Sequence, residues 1–341
     1  MKLHISHDAA AAAALVAAAT RIFVGLALDS VPIHNGVWIA ALLGALPAIP
    51  YLLCLEAVQA DAQPNRPACR MLMLLLASVT LLDASAVLSV VAKTSEYLTI
   101  NHVPVTMLTL PVALATLWCI CRNGDAVGYA AMLWIRVFPA LLILVLLLQL
   151  PHLHVRWLQP CLGAGWRAIA NGGVRTAGWF VPSTAILFVS DRGGALPANH
   201  ASRAWLACAA LVTAPLLALR LMMAPTVVRN ASWLFNLDAL LTNGRAPLYL
   251  QLPMILTWFV GLLHLLINDC FAATALLQRL VPALDGRACA ALVVLGAALL
   301  LIHGFSVALI RSAAPWVFIL AASTIGLYVL VLRDSKGGEH R

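Results

Sequence analysis

Four ionisable residues sit inside stretches that are otherwise apolar: Arg21, Asp83, Arg136 and Asp269. A charge at membrane depth is costly, so each needs a partner or a function. Two are cationic and two anionic, which permits pairing inside the protein. Arg21 lies two-thirds along an apolar run, within Thr20-Arg21-Ile22-Phe23-Val24-Gly25-Leu26. Three roles are open to it: pairing with Asp83 to fix two helices together, holding a ligand carboxylate, or snorkelling to the nearby end of its helix. Val24 and Gly25 beside it invite a local unwinding whose freed amides and carbonyls would line a pocket. Asp83, in Leu82-Asp83-Ala84-Ser85, can contact a ligand amine or close an ion pair, and its small neighbours let another helix approach. Asn268-Asp269 adds a polar pair at similar depth, suited to a site or to hydrogen bonding between helices. His264 and His303 read as packed residues.

The glycine pair Gly172-Gly173, followed by Trp179, Pro182, Ser183 and Thr184, marks a second place where a helix is expected to be interrupted, because an interior proline removes a backbone donor and crowds the preceding turn. Around these positions no enzyme signature occurs. There is no Walker-type glycine loop, no zinc-binding His pair on one helical turn and no nucleophile elbow. Six of the eight cysteines (Cys54, Cys119, Cys121, Cys208, Cys270 and Cys289) lie in or at the ends of apolar runs, where cysteine acts as a small hydrophobe. Neither a disulfide nor a metal site is inferred, and no cofactor or catalytic residue is expected. The Asn230-Ala231-Ser232 triplet matches a glycosylation acceptor but carries no argument by itself.

The elements that must position these residues follow from composition. Of 341 residues, 63% are apolar and 10% charged, against roughly 45–50% and about 25% in a soluble globular domain. A bilayer absorbs that surplus, since each crossing takes about 20 consecutive apolar residues. Divided at its Pro, Gly and charge clusters, the chain yields ten expected spans: Ala9–Leu28, Val37–Leu55, Met71–Ala92, Val103–Cys121, Ala126–Leu150, Ala177–Ser190, Ala204–Met222, Pro253–Leu277, Ala288–Leu309 and Ala314–Leu332. The first is read as a retained span, since Arg21 leads into more apolar sequence where a signal peptide would end. The fold class is therefore an all-α polytopic membrane protein, one transmembrane domain over residues 1–341.

The formal charge of +8 does not point to nucleic acid, because the basic residues stand singly at the edges of apolar runs; membrane lipid is the expected partner. Lys and Arg number eleven in the inner segments and eight in the outer ones when the N-terminus is placed inside, so both termini are expected in the cytoplasm. The connection Pro151–Thr176 mixes Trp157 and Trp166 with Arg156, Arg167 and Arg175, a composition that suits a helix in the membrane interface.

The stretch Trp157-Leu158-Gln159-Pro160-Cys161-Leu162-Gly163-Ala164-Gly165, continuing through Ile169 and Gly172 to Phe180, resembles the loop before span 6 of spore germination permeases, which runs Leu-x-Pro-x-Leu-x-x-Gly. Gly36-Val37-Trp38-Ile39 opening span 2, His102-Val103-Pro104 before span 4 and Leu237-Asp238-Ala239-Leu240 before span 8 are similar too. The chain departs from the family in carrying Ser183-Thr184 where members have an acidic residue in span 6, and Phe235-Asn236 where they have a Glu-Arg pair.

The resemblance implies the amino acid–polyamine–organocation transporter fold: five-plus-five inverted repeats, here roughly 9–150 and 177–332 joined by the outer segment 151–176, with spans 1 and 6 interrupted around a central site. It also implies a nutrient-sensing subunit of a germinant receptor in the spore inner membrane, an amino acid as germinant, and A-type and C-type receptor subunits as partners. On that basis the ligand site is expected from Arg21, Val24, Gly25, Asp83, Trp179, Pro182, Ser183, Thr184, Asn268 and Asp269. Proton-coupled relatives in the superfamily use a span-5 lysine in place of a sodium ion. Arg136 is the counterpart expected here, and an arginine cannot cycle a proton, which favours a sensor over a pump. The alternatives are a stand-alone secondary amino-acid transporter and a structural membrane subunit whose site has decayed.

Overall fold

The computed structural model describes residues 5–33, 36–47, 67–98, 105–122, 124–149, 155–159, 165–178, 180–190, 248–302, 316, 319–320 and 322–329. In chain order these form α1 (His7–Ile33), α2 (Val37–Ala45), α3 (Pro67–Leu98), α4 (Val105–Arg122), α5 (Gly124–Gln149), a 3-10 turn (Val155–Leu158), α6 (Trp166–Gly178), α7 (Phe180–Val189), α8 (Leu248–Leu280) and α9 (Gly286–Ile302). A further helical stretch covers 322–329. The all-α polytopic class is as expected. Span 7 at 204–222 and the whole link to α8 lie outside the described residues, as do both termini.

Local chemistry sets the helix ends. The Ser6 hydroxyl accepts from the Ala9 amide at 3.4 Å, an N-cap that satisfies one of the orphan donors of α1, and Asp8 in the first turn suits the positive end of the dipole. Pro67 opens α3, where its missing N–H has no intrahelical acceptor to lose. Asp285 caps α9 by accepting the Arg287 amide at 3.2 Å.

Two helices among the described residues, over Pro67–Ala92 and Phe259–Leu280, are long and apolar enough to cross a membrane. The outward faces tell the same story. Met107, Leu110, Leu114 and Trp118 are exposed along α4, and Leu292, Leu295 and Leu299 along α9. These are stripes at helical spacing that a lipid solvent would cover.

Inside, small residues let backbones approach. The face of α1 that meets its neighbours is built from Ala9, Ala10, Ala13, Ala14, Ala17 and Ala18, all buried. A Cβ added to Gly128 on α5 would stand 2.5 Å from the Ala9 Cβ, with every other neighbour at 3.6 Å or more. Without a hydrophobic drive between helices in lipid, such close contact is what dispersion needs. Gly128→Ala is therefore expected to lower the unfolding free energy in detergent by about 1–3 kcal/mol. The pair Ala9→Gly with Gly128→Ala should restore most of it, since the only severe clash is removed.

Two expectations about interruptions part here. The expected sixth span, Ala177–Ser190, corresponds to α7 and the last two residues of α6; α6 ends at Gly178 and α7 begins at Phe180, and residue 179 between them, where the interruption would fall, lies outside the described residues. Pro182 falls in the first turn of α7, where its missing donor is tolerated. In a helix continuous from α6 its ring would clash with the Gly178 carbonyl. With ten residues, α7 is about 15 Å long, half a bilayer core. The first span is corrected. Rather than unwinding near Gly25, α1 runs unbroken for 27 residues. A glycine inside a helix costs only about 1 kcal/mol relative to alanine, too little to break it.

Candidate functional site

Arg21 is the fifteenth of the 27 residues of α1 and is 1% exposed. Its Nη2 donates to Asp83 Oδ2 on α3 at 2.5 Å and to Asp269 Oδ2 on α8 at 2.7 Å. One guanidinium thus ties three helices together well inside their lengths, with Asp83 7% and Asp269 0% exposed. Of the roles open to Arg21 in the sequence, the geometry gives it internal pairing, and with two carboxylates in place of one. Snorkelling is excluded by its burial.

One cation and two carboxylates leave the cluster with a formal charge of −1. Burying an ion is expensive unless its charge and its hydrogen-bonding capacity are both met. Here capacity remains. The second Asp269 oxygen, both ends of the Asn268 amide, the hydroxyls of Thr20, Ser85 and Ser183, and His264 Nε2 are all buried without a hydrogen-bond partner. Elsewhere in the bundle hydroxyls are handled differently: those of Thr80, Thr116, Thr176 and Thr274 donate to the carbonyl one turn back, at 2.6–2.8 Å, the ordinary way to keep such a group in an apolar helix. Ser85 and Ser183 do not.

The surroundings of α7 complete the picture. Pro182, Ser183 and Thr184 are buried. The C-terminal end of α7 is held by Arg279 of α8, which donates to the Phe188 and Val189 carbonyls at 3.0 and 2.6 Å, a cation placed where the helix dipole is negative. His7 Nδ1 meets the Ser190 hydroxyl at 3.0 Å, joining the start of α1 to the end of α7. Thr20 lies against Gly261, whose added Cβ would come within 3.1 Å of its hydroxyl, so α1 and α8 touch directly beside the charged cluster.

The site residues expected from sequence therefore fall into three groups. Arg21, Asp83 and Asp269 come together. Asn268, Pro182, Ser183 and Thr184 are buried on α8 and α7. The side chains of Val24 and Gly25, and residue Trp179, lie outside the described residues. Arg136 does not join them. Among the described side chains of α5 the buried ones are Gly124, Val127, Gly128 and Ala131, while Tyr129, Leu133 and Arg136 lie on an exposed stripe, so the expected ion-site substitute faces away from the buried cluster and lends nothing to a sensor over a pump. Sequence reading missed Arg279, whose only signal is a cation in the last turn of α8. The spacing of Asp83 and Asp269, 186 residues apart in sequence, offers no signal of their shared partner.

Among the described residues no group of three or more His, Cys, Asp or Glu is arranged to hold a metal ion.

No family model matches the sequence, and no curated protein matches it. The fold has clear likenesses among solved structures. Mhp1, a nucleobase-cation-symport-1 family transporter in a closed conformation with bromovinylhydantoin bound, superposes with a TM-score of 0.68 at 14% identity, over 97% of this chain and 80% of its own. MhsT in complex with L-phenylalanine gives 0.63 at 13% identity, over 96% and 90%. A point mutant of the manganese transporter of Eremococcus coleocola gives 0.51 at 16% identity, over 96% and 80%. These neighbours are transporters and not enzymes, and at such identities they show the fold alone. The chain is an integral membrane protein with the fold of these polytopic secondary transporters.

Proposed function

We propose that the chain is the membrane-embedded, amino-acid-sensing subunit of a spore germination receptor, working with A-type and C-type subunits in the spore inner membrane with both termini cytoplasmic. The observation that carries the reading is Arg21 held between Asp83 and Asp269. It joins α1, α3 and α8 while leaving, among the described residues, one carboxyl group of the pair without a cation of its own. A ligand ammonium supplies the missing positive charge, and the unused groups of Asn268, Ser85 and Ser183 supply hydrogen bonds. Because the same three charges hold three helices together, a ligand that changes their balance shifts the helix arrangement, and partner subunits read the shift. MhsT with its bound L-phenylalanine is a precedent for an amino acid in this fold, and the residues shared with germination permeases point to sensing.

The test is thermal stabilisation of the purified chain in nanodiscs across the common amino acids, each paired with its deaminated analogue. At least one amino acid is expected to raise the unfolding temperature while its deaminated form does not, and Asp269→Asn should abolish the difference. Stabilisation that is indifferent to the amino group overturns the reading. The likeness to Mhp1 and MhsT over 80% and 90% of their lengths favours a second reading, a stand-alone secondary amino-acid transporter. Uptake into proteoliposomes by the chain alone, driven by an ion gradient, would select it.

A further inference from the structure

With Arg21 taken by two aspartates, a different arginine is left to meet an anion. α6 buries Ile169, Gly172, Gly173, Thr176 and Ala177, turns Trp166, Ala170 and Val174 outward, and beside that row also exposes Arg167, Asn171 and Arg175. These three are spaced four apart and so form one polar stripe. The register of α6 on α2 fixes its direction: Gly173 lies over Ala40 and Leu43, and Thr176 over Gly44, so the two helices advance together. α2 starts at Val37, just after α1 ends at Ile33, and hence at one face of the membrane. Arg175, level with Gly44, therefore lies roughly 10 Å along the bundle from that face at 1.5 Å per residue, one turn before α6 ends at Gly178.

An arginine at that depth that is nonetheless exposed faces water rather than hydrocarbon, because the lipid-facing alternative is costly. Between 126 and 190 there is no Asp or Glu, and among the described residues no carboxylate pairs with Arg167 or Arg175. We propose that Arg175, with Asn171 and Arg167 on the same stripe, lines a water-filled entry path and selects solutes that carry an anionic group. Under the function proposed above, on which only the identity of the anion rests, that group is the germinant carboxylate. The cationic path and the surplus negative charge of the buried cluster have opposite signs, which suits a zwitterion.

The experiment needs no ligand. Asn171→Cys is introduced into the full chain in membrane vesicles. Its reaction is followed with two membrane-impermeant methanethiosulfonates of similar size, one bearing a sulfonate and one a trimethylammonium, above the background of the parent protein. Asn171→Cys is expected to react readily and to favour the anionic reagent. Adding Arg175→Gln should lower the anionic-to-cationic rate ratio by at least about threefold, as a lost steering charge does, and Arg175→Lys should preserve it. Reaction no faster than that of Leu133→Cys on the exposed apolar face of α5, or a ratio unmoved by Arg175→Gln, overturns the proposal. The expected labelling in a protein that no amino acid stabilises would leave the path standing and remove the germinant reading alone.

Discussion

Arg21→Gln is expected to be the most damaging of the conservative substitutions in the buried cluster, costing about 3–5 kcal/mol of unfolding free energy in detergent. Asp83→Asn or Asp269→Asn should cost much less, on the order of 1 kcal/mol, the loss of a hydrogen bond's net contribution. The asymmetry follows from the charge count. Removing the guanidinium strands two buried carboxylates that face one another across a few ångströms, whereas neutralising one carboxylate leaves a balanced pair. Equilibrium unfolding of the three variants checks the ranking. Equal costs would mean that the arginine is not shared.

The second large effect lies at the contact of α2 with α6. A Cβ on Gly44 would fall 2.5 Å from the Thr176 Cβ and 2.7 Å from the Gly173 carbonyl oxygen. One of these is backbone and the other is the stiff stem of a β-branched residue, so neither can rotate away. Gly44→Ala must move one helix, and a cost of about 2–3 kcal/mol is expected, at the upper end for overpacking. Unlike the Gly128 case, no single reciprocal substitution relieves it. Thr176→Gly should recover only part of the loss, because the Gly173 carbonyl stays in place. Because α6 immediately precedes α7, which carries Ser183 and Thr184, Gly44→Ala should also change amino-acid stabilisation in nanodiscs, although the residue touches no site group.

Some of this was legible in the sequence and some was not, for identifiable reasons. The spans follow from apolar run length, a strong signal because lipid demands it, and their expected limits match α3, α5, α8 and α9 to within a few residues at most ends. The start of α7 at Phe180 was legible because Pro182 fits a helix's first turn. The same logic failed at Gly25, where one glycine is a small perturbation within a long helix. Pro111 inside α4 shows that proline alone does not decide either. The buried cluster was half legible: charges in apolar runs announce that a partner exists but not which one, since the meeting of α3 with α8 is a property of packing. Arg136 failed for a related reason. Its depth along α5 was readable, but its face depended on Gly128 and Ala131 turning towards α1.

The proposed sensing role depends on two carboxylates sharing one arginine, and a double-mutant cycle on unfolding free energy tests that sharing directly. With Asp83→Asn and Asp269→Asn each mild alone, the double variant strands Arg21 in the bundle and should lose about 3–5 kcal/mol, well beyond the sum of the singles. Strictly additive losses would contradict it.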